Sequence, residues 1–306
     1  MNDSVDSRNL AIGIIILSQS TVGVLGNLSL LSYYVIRCYS ECTLKPTDWI
    51  LTHLIIANSL TILSGGIPHT MALFKLKQFF NNFECKLILY VHRLGRCVSV
   101  GTTCLLSVFQ ATITSPRNSC CKNLKAKVPK YTGLCIFFCW VLYMVVNSIF
   151  PVYLYSKLNR NNLTIESVFH HCGIIDRSEI TGSLYTAFIV IPEVLFSFLM
   201  AWSSSSMVLF LHRHKEQTKH IHSSNVSHRK SPESRATQNI LALVSTFLTF
   251  YTLSSVLQGF IALLSDPSWW LVNIPAIISL CFPTLSPFIV SRASTVPKFC
   301  FSWMRN

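Results

Sequence analysis

Three charges stand where charge is expensive. Arg93, Arg96 and Glu193 are the fully charged side chains set well inside long apolar runs. Such groups turn away from lipid and either pair with one another or meet a polar ligand. Arg96 lies 11 residues beyond Cys85, roughly 16 Å along a helix. Glu193 is about ten residues into its own run, roughly 15 Å deep from the same side. The depths match, and two compatible chemistries follow. Arg96 and Glu193 can form an ion pair that fixes helix packing. They can also wall a cavity that binds polar or anionic groups, with His92 one turn from Arg96. Arg93 is the poorer partner, because its long side chain can snorkel outward.

The residues around Arg96 are ordered. His92, Arg96, Ser99, Thr103, Ser107 and Gln110 recur at intervals of three and four, so they form one stripe down a helix. Unpaired polar groups in hydrocarbon cost several kcal/mol. The stripe must therefore face protein, and its helix belongs in the middle of a bundle. His92, Arg96, Ser99, Thr103 and Glu193 are the candidate ligand-binding residues. Nothing in the chain reads as catalytic. It has no H-E-x-x-H, no G-x-S-x-G, no glycine-rich phosphate loop and no pair of intramembrane aspartates. No cofactor or metal is expected.

Cysteine and histidine add one candidate contact. Cys85 opens the Arg96 run and Cys172 sits in the long segment between the fourth and fifth runs. Both fall on the oxidising side, where a bridge would pin that segment over the bundle mouth; the alternative is two unrelated thiols. Most of the twelve cysteines lie in apolar runs, where a thiol acts as a small hydrophobe. Cys120, Cys121 and Cys300 sit among basic residues near a membrane boundary, where acylation occurs, although a free thiol is the default. Five histidines between His212 and His228 match no zinc spacing. Asn2 and Asn162 begin N-x-S/T glycosylation patterns.

The elements that hold these residues are membrane spans. The 306-residue chain is 51% hydrophobic and only 12% charged, about half the charge of a soluble domain, and its mean hydropathy is +0.47. Apolar runs predict an all-α membrane protein, a bundle of seven transmembrane helices, with spans at about 10–36, 49–74, 87–114, 131–155, 183–211, 236–264 and 268–290. Residues 1–9 form a short polar N-terminus, 10–291 the bundle and 292–306 a short tail. Sixteen lysines and arginines fall in the inner segments against seven in the outer ones. The N-terminus is therefore expected outside and the C-terminus in the cytoplasm. The net charge of +13 then reads as contact with the anionic inner leaflet of the bilayer, not with nucleic acid. A small-solute transporter with a midplane site at Arg96 and Glu193 is the alternative reading. The absence of an internal repeat weighs against it.

Seven spans, Gly26-Asn27 in the first, Cys85 opening the third and Trp140 in the fourth resemble a G-protein-coupled receptor. The departures are specific. The usual Asp-Arg-Tyr site reads Phe109-Gln110-Ala111, the usual span-two aspartate is Asn58, and the span-seven motif reads Ser286-Pro287-Phe288-Ile289-Val290. His92-Arg-Leu-Gly-Arg96, Gly101-Thr-Thr-Cys-Leu-Leu-Ser-Val-Phe-Gln110, His228-Arg-Lys-Ser-Pro232 with Arg235-Ala-Thr-Gln238, and Cys281-Phe-Pro-Thr-Leu-Ser-Pro-Phe288 are similar to the vomeronasal type-1 receptors. That resemblance implies a pheromone receptor in the plasma membrane of vomeronasal sensory neurons. It also implies a small-molecule pheromone ligand and a heterotrimeric Gi/Go-type G protein as partners. Gln110, Arg229, Lys230 and Arg235 would then lie at the G-protein face. It leaves open what replaces the missing charged lock between spans three and six.

Overall fold

The computed structural model describes residues 2–41, 45–74, 82–114, 130–148, 191–221, 232–263 and 269–293, which form seven α-helices. These are α1 (Asn2–Glu41), α2 (Pro46–Leu73), α3 (Asn82–Thr114), α4 (Lys130–Ser148), α5 (Ile191–Ile221), α6 (Pro232–Leu263) and α7 (Trp269–Ala293). Each contains a stretch long and apolar enough to cross a membrane. Several helices outrun their apolar runs. α1 begins at Asn2 and not near Leu10, and α3 begins at Asn82, ahead of Leu87. α5 continues through His212-Arg-His-Lys-Glu-Gln to Ile221, since strong helix formers carry the backbone on after the hydrophobic stretch ends. The predicted span residues 149–155, 183–190, 264 and 268 lie outside the described residues.

The bundle buries many polar side chains among its apolar core residues and is apolar outside. Asn27, Asn58, Thr102, Thr103 and Ser107 are fully buried, while Phe198, Trp202 and Ile36 are each about two-thirds exposed. In water that distribution would be ruinous. In hydrocarbon it is required, because only the protein interior offers hydrogen-bond partners. α3 holds the centre: from Leu94 to Gln110 it is buried almost without interruption. It packs on α2, α5 and α6, while α7 closes the bundle against α1, α2 and α6. α4 joins through Tyr90, whose hydroxyl donates to the Met144 carbonyl at 3.2 Å, and Trp140, whose indole N–H donates to His53 Nδ1 at 3.2 Å.

Local sequence explains the ends and the seams. α2 starts with Pro46 at its first turn, Lys45 extended before it and Asp48 placed where the helix dipole favours an anion. Asp48 also pairs with Arg37 of α1 at 3.3 Å, tying the two helices beside their short connection. Along the α2–α3 seam a Cβ at Gly95 would fall 2.9 Å from the Ala57 carbonyl oxygen and 2.7 Å from Thr61 Oγ1. Only glycine lets these two backbones approach so closely. α7 carries Pro275, Pro283 and Pro287 within its length. Pro287 cannot donate to the Pro283 carbonyl four residues back. Asn27 of α1 supplies the missing donor, with Nδ2 at 2.9 Å from that oxygen.

Candidate functional site

α3 places Arg96 and Ser99 one turn apart on a face that meets α6 and α7. Between these helices lies a narrow cleft. α2 contributes Thr61 to it. α6 contributes Phe247, Phe250, Tyr251 and Ser254, and α7 contributes Ile278, Ser279, Phe282 and Pro283. The α6 residues recur at three and four, so one helical face makes the wall. An aromatic wall with a few hydroxyls and a guanidinium is the composition of a small-molecule site.

Tyr251 organises the charged end. Its ring centroid lies 5.2 Å from the Arg96 guanidinium carbon, within cation–π range. Phe247 stacks on it at 5.0 Å and 15°, and meets Phe282 of α7 edge-on at 4.7 Å and 87°. The Tyr251 hydroxyl is buried beside Glu193 of α5 with no well-formed hydrogen bond. Glu193 is in Coulombic reach of both Arg96 and Arg93. An aromatic ring thus sits with the cation over its face and the carboxylate by its edge. The residues around the cleft thus include a guanidinium, a phenol and four alcohols.

The five candidate ligand residues do not all converge. Arg96 and Ser99 line the cleft. Glu193 is within electrostatic range of Arg96 but is not among the lining residues, and the described part of α5 contributes none, although the sequence puts Glu193 in the wall. His92 points elsewhere: a ring nitrogen sits 3.3 Å from the Thr61 carbonyl oxygen, over Gly65, where a Cβ would fall 2.8 Å from the ring. The missing side chain at residue 65 leaves the imidazole a slot on α2. Thr103, one turn beyond Ser99, is fully buried with its hydroxyl unpartnered, and it does not reach the cleft. Sequence reasoning does not single out Tyr251, Phe247, Phe282, Ser254 or Ser279. The Phe247, Phe250, Tyr251, Ser254 spacing is present in the sequence, but an apolar helical face reads equally well as one that touches lipid.

Below the cleft, Ser99 leads into a polar chain across three helices. Its hydroxyl donates to Asn58 Oδ1 at 2.9 Å, and Asn58 Nδ2 donates to Ser286 Oγ at 2.8 Å. Ser286 in turn lies 3.3 Å from the Pro283 carbonyl, which Asn27 of α1 also approaches. Both ends of the Asn58 amide are matched by hydroxyls, and the chain carries no formal charge. With Asn27 it joins α3, α2, α7 and α1.

Toward the other end of the bundle, Ser107 meets Ser203 of α5, hydroxyl to hydroxyl, and Gln110 Nε2 donates to Thr237 Oγ1 of α6 at 3.2 Å. Gln110 and Thr237 are both buried. Gln110, which the resemblance places at the G-protein face, is turned inward against α6. Arg235 belongs to the opening turn of α6, whereas Arg229 and Lys230 lie outside the described residues. So do Cys172, Asn162, Cys120, Cys121 and Cys300. Cys85 falls in the opening turn of α3, and Asn2 is the first residue of α1.

Residues 10–302 match the model of the vomeronasal organ pheromone receptor family. Vomeronasal type-1 receptor 4 of Homo sapiens is 48% identical over 300 residues, covering 98% of this chain and 99% of that protein. Vomeronasal type-1 receptor 45 of Mus musculus is 32% identical over 279 residues, covering 89% of this chain and 85% of that one. Among solved structures, squid rhodopsin aligns with a TM-score of 0.66 at 16% identity, over 96% of this chain and 79% of the rhodopsin. That likeness is one of fold.

Proposed function

The chain belongs to the vomeronasal organ pheromone receptor family, and from that membership we propose that it is a chemosensory receptor of the plasma membrane that signals through a G protein of the Gi/Go type. The observation that carries the reading is the cleft between α3, α6 and α7, with Arg96 held over Tyr251. A small pheromone bound there touches three helices at once. Its affinity for one arrangement of those helices over another shifts a pre-existing equilibrium. The inner ends of α3, α5 and α6 then open to take the G protein's C-terminal helix. The count of basic residues supports an outer N-terminus and a cytoplasmic C-terminus. The transporter alternative has no support in the family, in the fold or in an internal repeat.

The test is guanine-nucleotide exchange on Gi/Go in membranes of cells that express the chain, with an outer N-terminal tag to verify surface delivery. A panel of volatile and conjugated urinary and glandular metabolites serves as the ligand source. Ligand-dependent exchange supports the receptor reading. Solute flux without exchange would replace it with the transporter.

A bridge from Cys85 to Cys172 belongs to the same reading, as the strap over the cleft mouth. Closing a loop of this length removes several kcal/mol of chain entropy from the unfolded state. Cys172→Ser is expected to reduce surface delivery by about five-fold or more, read by antibody binding to the outer tag on intact cells. Normal delivery together with normal ligand potency would rule the bridge out.

A further inference from the structure

The inner half of α3 is fastened to its neighbours by uncharged bonds: Ser107 to Ser203 on α5, and Gln110 to Thr237 on α6. The second bond has a long lever attached. α6 runs unbroken from Pro232 to Leu263, with no proline after its first residue, so it lacks the commonest cause of a kink. α7, by contrast, has three internal prolines. Thr237 precedes Phe247 by ten residues and Tyr251 by fourteen, roughly 15 and 21 Å along a helix. One stiff rod therefore carries the aromatic wall of the cleft at one level and the partner of Gln110 at the other.

We infer that the Gln110–Thr237 hydrogen bond is a neutral latch, which keeps the inner ends of α3 and α6 together at rest and releases when a ligand in the cleft displaces α6. The inference rests on the receptor reading above. Three observations carry it. The bond is buried at both ends, with Gln110 9% and Thr237 3% exposed, so water does not compete freely for it. It joins the two helices that also share the Arg96–Tyr251 contact, so a ligand that moves the Tyr251 ring moves Thr237 with it. Phe109-Gln110-Ala111 holds no charge with which a stronger clasp could be made. A single neutral hydrogen bond biases an equilibrium by roughly five-fold. That bias is small enough for a ligand to overcome and large enough to hold basal signalling down.

Thr237→Val removes the hydroxyl at nearly constant volume, Thr237→Ser keeps it, and Gln110→Leu removes the bond from the other side. Two quantities are measured without any ligand. One is Gi/Go nucleotide exchange per receptor at the surface. The other is energy transfer between fluorophores introduced by amber suppression at Ile113 of α3 and Gln238 of α6. Thr237→Val and Gln110→Leu are each expected to raise basal exchange about five-fold and to lower transfer, with Thr237→Ser near the parent. The double variant should be no more active than either single, since all three lack the same bond. Transfer and exchange unchanged in Thr237→Val and Gln110→Leu would overturn the latch. Transfer that falls without any exchange would support the latch and overturn the coupling to Gi/Go.

Discussion

Arg96→Ala is expected to shift the ligand dose–response to at least about ten-fold higher concentration, or to abolish the response, with the receptor still delivered to the surface. Among the described residues the guanidinium is the one formal charge lining the cleft, and a hydrogen bond to a charged group contributes about 1.5–3 kcal/mol. That range corresponds to between about ten-fold and about 150-fold in affinity. Loss of the cation–π contact with Tyr251 at 5.2 Å removes a further contribution of about 0.5–2 kcal/mol to the order of the wall itself. Two companion variants separate these contributions. Arg96→Lys keeps the charge but not the flat, delocalised group that lies over a ring, so it should recover part of the potency. Tyr251→Phe keeps the ring and removes only the hydroxyl beside Glu193, so the cation stays seated and the loss should be smaller than in Arg96→Ala. An unchanged dose–response curve in Arg96→Ala would remove Arg96 from the ligand site.

The residues easiest to read from sequence were those with a single acceptable environment. Ser99, Thr103, Ser107 and Gln110 could not face lipid, and α3 buries all four. Arg96 and Glu193 could not stand alone at their depth: the guanidinium lies over the Tyr251 ring, and Glu193 is within electrostatic range of it. Direction within the interior was a different matter. His92 shares the stripe, yet its ring turns to α2 because Gly65 leaves a slot there, and a slot on a neighbouring helix has no signature in the stripe. Phe247, Phe250 and Tyr251 were illegible for the opposite reason. An aromatic side chain is as acceptable to lipid as to a cleft, so the contrast that marks the buried face of a soluble helix is missing. Gln110 marks the boundary between the two cases. A glutamine near a membrane surface has water within reach, and its turn inward depends on Thr237, which is 127 residues away.

Asn58→Leu is expected to lower the thermal stability of the purified receptor more than other conservative replacements on α2. Leucine is close in size but breaks both bonds of the amide, to Ser99 at 2.9 Å and to Ser286 at 2.8 Å. The two serines escape the full penalty of burial. Ser99 can turn its hydroxyl to a carbonyl one turn back, and Ser286 already lies 3.3 Å from the Pro283 carbonyl. Interhelical bonds in membranes average about 0.6 kcal/mol and reach about 1.7, so the loss should total about 1–3 kcal/mol. For a chain of this size that is a fall of several degrees in Tm, on the order of 2–4 °C per kcal/mol, read by thiol-independent thermal unfolding in detergent. A double-mutant cycle with Ser286→Ala isolates the α2–α7 contact. Because both changes delete the same bond, their combined cost should fall short of the sum by about 0.5–1.7 kcal/mol. Strict additivity would mean that Asn58 and Ser286 stabilise the bundle independently. The neutral chain from the cleft floor at Ser99 to the proline-rich part of α7 would then be a set of neighbours with no shared energy. Coupling of the expected size would make Ser99, Asn58 and Ser286 one unit, through which a ligand that touches Ser99 is felt at Pro283 and Pro287.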